Sequence, residues 1–257
     1  MARDCAPTGT DRRIQVVHHA SVSDLTAATW IWWVWPTYIG ARSNARLMWK
    51  GSGAGQTQIF VNGSGAAAAG LRFVRNRATT ASNIITTGAM TLGQWQLVAI
   101  ADDTVSLGRW YRAVKGGPLR DITNVAGSTL GVGTPTTDAG GDLSLGGRIG
   151  TTTPSEYRIG VVWVYNRRLM PAEITLHRDD PDLRLAGCVL HQVWGPGGVM
   201  VDRSGKANHG VPTDAPWVPH SPASMSVVTW PEKRPQRRYQ KAAVTTTNVG
   251  WVGAGWW

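Results

Sequence analysis

Residues 29–35, TWIWWVW, constrain the fold more than any other stretch of this chain. They combine four tryptophans with isoleucine and valine, a composition that favours a strand. A strand with one wet face alternates apolar and polar residues; this one does not, so both of its faces must be covered, as in the middle of a sandwich. The apolar run, counted from residue 27, is also too short to span a bilayer.

The surrounding sequence reads as further short strands separated by turns. Candidates are residues 14–17, 46–50, 57–61, 71–74, 94–101, 106–113, 142–146, 158–165 and 188–194. GSGAG and NGSGAAAAG punctuate them, and Asn62-Gly63 is a strong turn dipeptide. Glycine is abundant, at 31 of 257 residues, which serves tight turns more than helices. One short helix opens at Met170-Pro171-Ala172-Glu173, with proline and an acid in its first turn, and ends near Asp179-Asp180-Pro181. The pattern predicts an all-β, antiparallel β-sandwich with one short helix.

The sandwich pattern stops near residue 224. Residues 225–257 form a basic, proline-broken segment with too few spaced apolar residues to build a core of its own. Lys233, Arg234, Arg237, Arg238 and Lys241 face a single acid, Glu232, and Trp251, Trp256 and Trp257 follow in a glycine-rich context. Aromatic and arginine side chains are the usual anchors of protein interfaces. Arg234, Arg237, Arg238, Tyr239, Trp251, Trp256 and Trp257 are therefore the expected interface contacts of an extended C-terminal arm. The expected organisation is a domain over 1–224, with its core at about 10–222, and an arm over 225–257.

The net charge of +10 is spread over single arginines outside the arm, so nucleic acid is not the expected partner. The polar N-terminus lacks the apolar segment of a secretory signal, which points to synthesis in a cytoplasm. Cys5 and Cys188 do not make a disulfide framework, and two unpaired thiols are expected.

Six segments, in order, resemble successive elements of laminin-G-like, concanavalin A-like jelly rolls: residues 28–36, 47–51, 92–99, 143–147, 160–174 (GVVWVYNRRLMPAEI) and 201–210 (VDRSGKANHG). The last is similar to an element of phage-encoded members. The resemblance implies a jelly roll over about residues 10–222. Its members include sugar-binding modules, adhesion domains, hydrolases and phage particle proteins, so it does not fix the function.

Hydrolases of this broad fold carry a Glu-x-Asp-x-x-Glu type pattern. This chain has three glutamates, Glu156, Glu173 and Glu232, none with a carboxylate partner at that spacing. No enzymatic activity is expected. Members of the family bind calcium through loop acids, here Asp102, Asp103, Asp138 and Asp142; these are few for six to eight oxygens, and no cofactor is expected. Neighbours His18 and His19 would point to opposite faces of a strand, one buried and one exposed. Most tryptophans fill the core, which leaves Trp49, Trp110, Trp194 and Trp217 as candidate platforms for glycan stacking. The expected function is that of a structural protein of a tailed-phage virion, a capsid decoration protein attached through its arm. The alternative is a carbohydrate-binding adhesin of a phage tail or fibre. Partners are virion proteins, further copies of the chain, and a cell-surface glycan.

Overall fold

Both faces of the TWIWWVW run are covered, each by a different apolar layer. The computed structural model describes residues 2–4, 13–36, 46–52, 55–62, 70–88, 90–147, 157–194, 200–213 and 217–218. All lie in the unit Met1–Ser224; Met225–Trp257 is a separate unit and falls outside the described residues, with every contact expected of the arm. The strands are β1 (Ala2–Asp4), β2 (Arg13–Val16), β3 (Ala28–Pro36), β4 (Arg46–Ser52), β5 (Gly55–Asn62), β6 (Gly70–Arg75), β7 (Ser82–Ile85), β8 (Gln96–Asp102), β9 (Arg109–Val114), β10 (Arg120–Asp121), β11 (Leu143–Leu145), β12 (Tyr157–Tyr165), β13 (Cys188–Trp194), β14 (Met200–Asp202), β15 (Gly210–Thr213) and β16 (Trp217–Val218). A single α-helix among the described residues, α1 (Pro171–Asp179), follows β12.

Every strand pairing is antiparallel. The hydrogen-bonded path runs β10-β9-β8-β3-β12-β13-β14-β15-β2-β11-β4-β5-β6-β7 and folds back on itself to form the sandwich. Trp30, Trp32 and Val34 of β3 point into the core, with Val98 and Ile100 of β8, against Met48, Ile59 and Phe73 from the facing layer. Trp30 and Phe73 meet with ring centroids 5.3 Å apart. Ile31 and Trp33 point the other way, into a second apolar layer with Leu97, Ala99, Val161 and Trp163, closed by Leu169 and Ile174. The strand alternates between two cores rather than between core and water.

Residues 122–136 strap the open edge. They leave β10 and run along β7 through bridges Thr86–Thr123, Asn83–Thr129, Thr80–Val132 and Arg77–Pro135. The strap shields the edge hydrogen-bonding groups of β7, which would otherwise be free to pair with another chain. The sequence-predicted strands are present with small shifts of their ends. β1, β7, β10, β14, β15 and β16 were not predicted; at two to four residues each they carry too little alternation to read.

The helix forms where the sequence places it. Pro171 occupies its first turn, and the Glu173 carboxylate accepts the Met170 N–H at 2.9 Å. Thr29 fastens its approach to β3: the hydroxyl donates to the Arg167 carbonyl at 2.9 Å and accepts the Leu169 N–H at 2.8 Å. The 201–210 element is a turn built on Asp202, whose carboxylate accepts the N–H groups of His191, Ser204 and Asn208. The histidine expectation needs correction. β2 ends at Val16, so His18 and His19 lie past the strand and both are exposed; His19 caps a 3-10 turn by accepting the Ser21 N–H.

Candidate functional site

The sequence-predicted stacking tryptophans do not form one platform. They stand on β4, β9, β13 and β16, no two of which are neighbours in the sheet. Trp110 is corrected outright. It is fully buried in the sandwich core, and its indole N–H donates to the Ile84 carbonyl at 3.0 Å. In β9 Trp110 and Tyr111 are adjacent, and the register sends Trp110 inward and Tyr111 outward. Trp49 pairs with Gln58 and Ser144 on the outer face of β4, where it is 8% exposed. Trp194 and Trp217 lie on β13 and β16, with side chains outside the described residues.

The four acids considered for calcium are held by protein groups. Asp102 and Asp103 diverge, as neighbours on a strand end must. Asp102 is fully buried and its Oδ2 accepts from Arg77 at 2.9 Å, with Arg75 at 3.5 Å. Burial pushes the Asp102 carboxyl above its ordinary value, and the two guanidinium groups offset only part of that rise. Asp103 turns outward, accepts the Val105 and Ser106 N–H groups and pairs with Arg168 at 3.0 Å. Asp138 accepts the Asp24 N–H at 2.9 Å and lies 3.8 Å from the buried Lys50 ammonium; Asp142 accepts the His18 N–H at 2.7 Å. No three His, Cys, Asp or Glu residues among the described ones are grouped to hold a metal ion. Cys188 is a free, half-buried thiol that burial pushes up to about 11; Cys5 lies outside the described residues.

An open groove of about 520 Å³ lies between the β9–β10 hairpin and α1. Its volume falls within the range of about 300–1,000 Å³ common to small-molecule sites. One wall is the hairpin, with Pro118 and Leu119 in its turn and Asp121 on β10. The register sets Asp121 directly opposite Tyr111, so both side chains face the groove. The other wall is one face of α1, Pro171, Ala172, Thr175 and Arg178.

The polar groups of the groove are fixed by neighbours. Asp121 accepts the Thr123 N–H at 2.9 Å and stands 3.6 Å from Arg109. Arg178 is gripped in a fork by Asp179, at 2.7 Å on each oxygen, and reaches across to the Gly117 carbonyl. That fork holds the guanidinium above its usual range and Asp179 below its own. The Thr175 hydroxyl donates back to the Pro171 carbonyl at 2.9 Å. Burial, the larger cause, and the nearby Asp121 charge both push the Tyr111 phenol up, so it stays a neutral hydroxyl. The groove therefore presents apolar side chains together with one carboxylate, one guanidinium and two hydroxyls, those of Tyr111 and Thr175. None of its residues was singled out as a binding group in the sequence, where Pro171 and Ala172 marked only the start of the helix, because the groove joins segments some sixty positions apart and forms no local motif.

No protein-family model matches the chain, and no curated protein does. Solved structures do. A candidate carbohydrate-binding protein from Bacteroides ovatus ATCC 8483 superposes with a TM-score of 0.52 at 14% identity, over 84% of this chain and 58% of its own. The fold is a lectin-like β-sandwich. The enzymatically active domain of tailspike protein 2 from bacteriophage CBA120 gives 0.48 at 12% identity, over 73% of this chain and 33% of that one. Sialidase from Trypanosoma rangeli, in complex with sialic acid, gives 0.42 at 21% identity, over 61% and 23%. The chain thus spans less than two thirds of the Bacteroides protein, and at these identities the likeness concerns the fold. It reaches the sandwich but not the narrower laminin-G-like assignment.

These neighbours correct one expectation. A sialidase and an enzymatically active tailspike domain are among the solved structures that match, so the exclusion of enzymatic activity drawn from the scarcity of glutamates is withdrawn. Of those glutamates, Glu173 caps α1 and pairs with Arg167 at 2.7 Å, whereas Glu156 and Glu232 lie outside the described residues.

Proposed function

We propose that this chain binds carbohydrate in the groove between the β9–β10 hairpin and α1, as an adhesin of a phage tail or fibre. The observation that carries the reading is the groove's mixed lining. A sugar ring offers C–H surface to Tyr111, Leu119 and Pro171 while its hydroxyls donate to Asp121 and accept from Arg178. The sandwich shared with a candidate carbohydrate-binding protein supports it at the level of fold. Placement on a phage particle rests on the resemblance of the 201–210 element to phage-encoded domains. The comparisons give a capsid partner no support, and the adhesin is preferred for that reason. Arg234, Arg237, Arg238, Tyr239, Trp251, Trp256 and Trp257 are proposed to fasten the chain to another virion protein.

The test is a printed array of bacterial surface polysaccharides probed with the full chain and with its Asp121→Ala variant. Asp121 is exposed and outside both cores, so the variant is expected to fold normally. Loss of a charge-assisted hydrogen bond of about 1.5–3 kcal/mol predicts roughly ten- to hundredfold weaker binding. Equal binding by both proteins would remove the groove from the account, and no binding to any polysaccharide would remove the function.

A further inference from the structure

We infer that α1 is clamped over the outer face of the sheet by a buried histidine layer that acid unlocks, so that one wall of the groove loosens between neutral and mildly acidic pH. The consequence for a ligand rests on the groove reading, whereas the loosening itself is a property of the fold alone.

The layer comprises His177 of α1, His191 of β13, and Trp163 and Tyr165 of β12. Both histidines are fully buried. The Trp163 ring lies between them, edge-on to His177 at 5.1 Å and stacked on His191 at 5.4 Å with 13° between planes. The hydrogen-bond partners suit neutral rings. His177 Nδ1 is 2.9 Å from the Glu173 carbonyl, which only accepts, so Nδ1 carries the hydrogen. Nε2 is then the acceptor for the Tyr165 hydroxyl at 2.7 Å. His191 Nε2 donates to the Pro181 carbonyl at 3.0 Å, which leaves Nδ1 as a buried lone pair with no hydrogen-bond partner among the described residues.

The same side chains tie down the segment after the helix. Trp163 Nε1–H donates to the Leu183 carbonyl at 3.1 Å, and the Leu185 N–H donates to the Tyr165 hydroxyl at 3.2 Å. Residues 181–185 are thus held at three points, one of them His191 itself. A proton added to His191 Nδ1 would meet no acceptor among the described residues. The face of Trp163 offsets part of that cost.

The charges around the layer do not rescue the protonated forms. Around His191, Asp202 favours a proton, and Arg184 and Arg203 oppose it; burial dominates and pushes the group down to about 4. Around His177, the Glu173 and Asp180 charges favour a proton and Arg167 opposes it; burial again dominates and lowers it. Tyr165, raised to a level far above neutral by burial beside Cys188, stays protonated throughout. Asp182, raised by burial beside Arg203, acts in the opposite sense at lower pH.

The sign follows from linkage. With α1 detached, a histidine titrates near its ordinary value of about 6.5. Between there and about 4, the detached state takes up a proton that the docked state refuses. Stability of the docked helix is full above that window and falls as pH falls through it. His191 alone raises the detached population about tenfold per pH unit, and His177 adds to it.

The experiment is hydrogen–deuterium exchange of the full chain, without ligand, at about pH 7 and about pH 5, with rates corrected for intrinsic exchange. Protection of residues 171–179 and 181–187 should fall roughly thirtyfold or more relative to residues 97–101 of β8. His191→Phe keeps a ring against Trp163 and should remove most of that difference. Unchanged protection of α1 at both pH values, or equal loss in α1 and β8, overturns the inference. Because no sugar is present, failure here leaves the carbohydrate reading untouched, and failure of the polysaccharide array leaves the acid device standing.

Discussion

Replacing Asp102 with alanine is expected to destabilise the protein by about 3–5 kcal/mol, the range for breaking a buried ion pair. Asp102 has 0% exposure, and the side chains it faces, Arg75 and Arg77, are 2% and 0% exposed. Removing the carboxylate would leave two guanidinium charges facing each other without water. Arg77 would keep Ser82 at 2.7 Å and the Asp103 carbonyl, whereas burial already lowers Arg75 even with Asp102 in place. For a domain of this size the Tm should drop on the order of 10 °C. Replacing Asp102, Arg75 and Arg77 together with apolar residues of similar volume should restore most of the loss, because the pairing offsets its own desolvation. A single-variant loss below about 1 kcal/mol in urea denaturation would mean that water reaches the pair.

Trp110→Ala is the second large effect, also about 3–5 kcal/mol. The ring lies wholly inside the core beside Ile84, and the indole N–H satisfies the Ile84 carbonyl. Trp110→Phe refills most of the volume and loses only that hydrogen bond, so about 1 kcal/mol plus a small cavity term is expected. The pair of variants separates packing from recognition. A stacking tryptophan would lose sugar binding with little change in stability, whereas Trp110→Ala should lose stability first. Thermal denaturation of both variants decides between them.

The two-sided burial of residues 29–35 was legible because only a strand between two cores tolerates that run of tryptophans. The helix was legible from Pro171 and Glu173, which act locally. The faces of Trp49 and Trp110 were not. In RWYRAV a tryptophan and a tyrosine stand side by side, and period-two reasoning cannot say which goes inward until the register with Asp121 and Ile100 is known. Asp102 read as a loop acid for a similar reason, since its partners Arg75 and Arg77 come from a different strand and loop. The groove and the histidine layer were not assembled from the sequence because each joins β9 or β13 to a helix that follows β12. The spacing of Pro171, Thr175 and Arg178 on one helical face, with KGGPL as an exposed turn, was the one signal available for the groove.

The measurement that tests the central claim most directly is a backbone NMR titration of the full chain with oligosaccharides prepared from a bacterial surface polysaccharide that it binds on the array. The account predicts shift changes confined to Tyr111, residues 118–121 and residues 171–178. Changes centred instead on the outer face of β4 and β5, around Trp49 and Phe60, would contradict it.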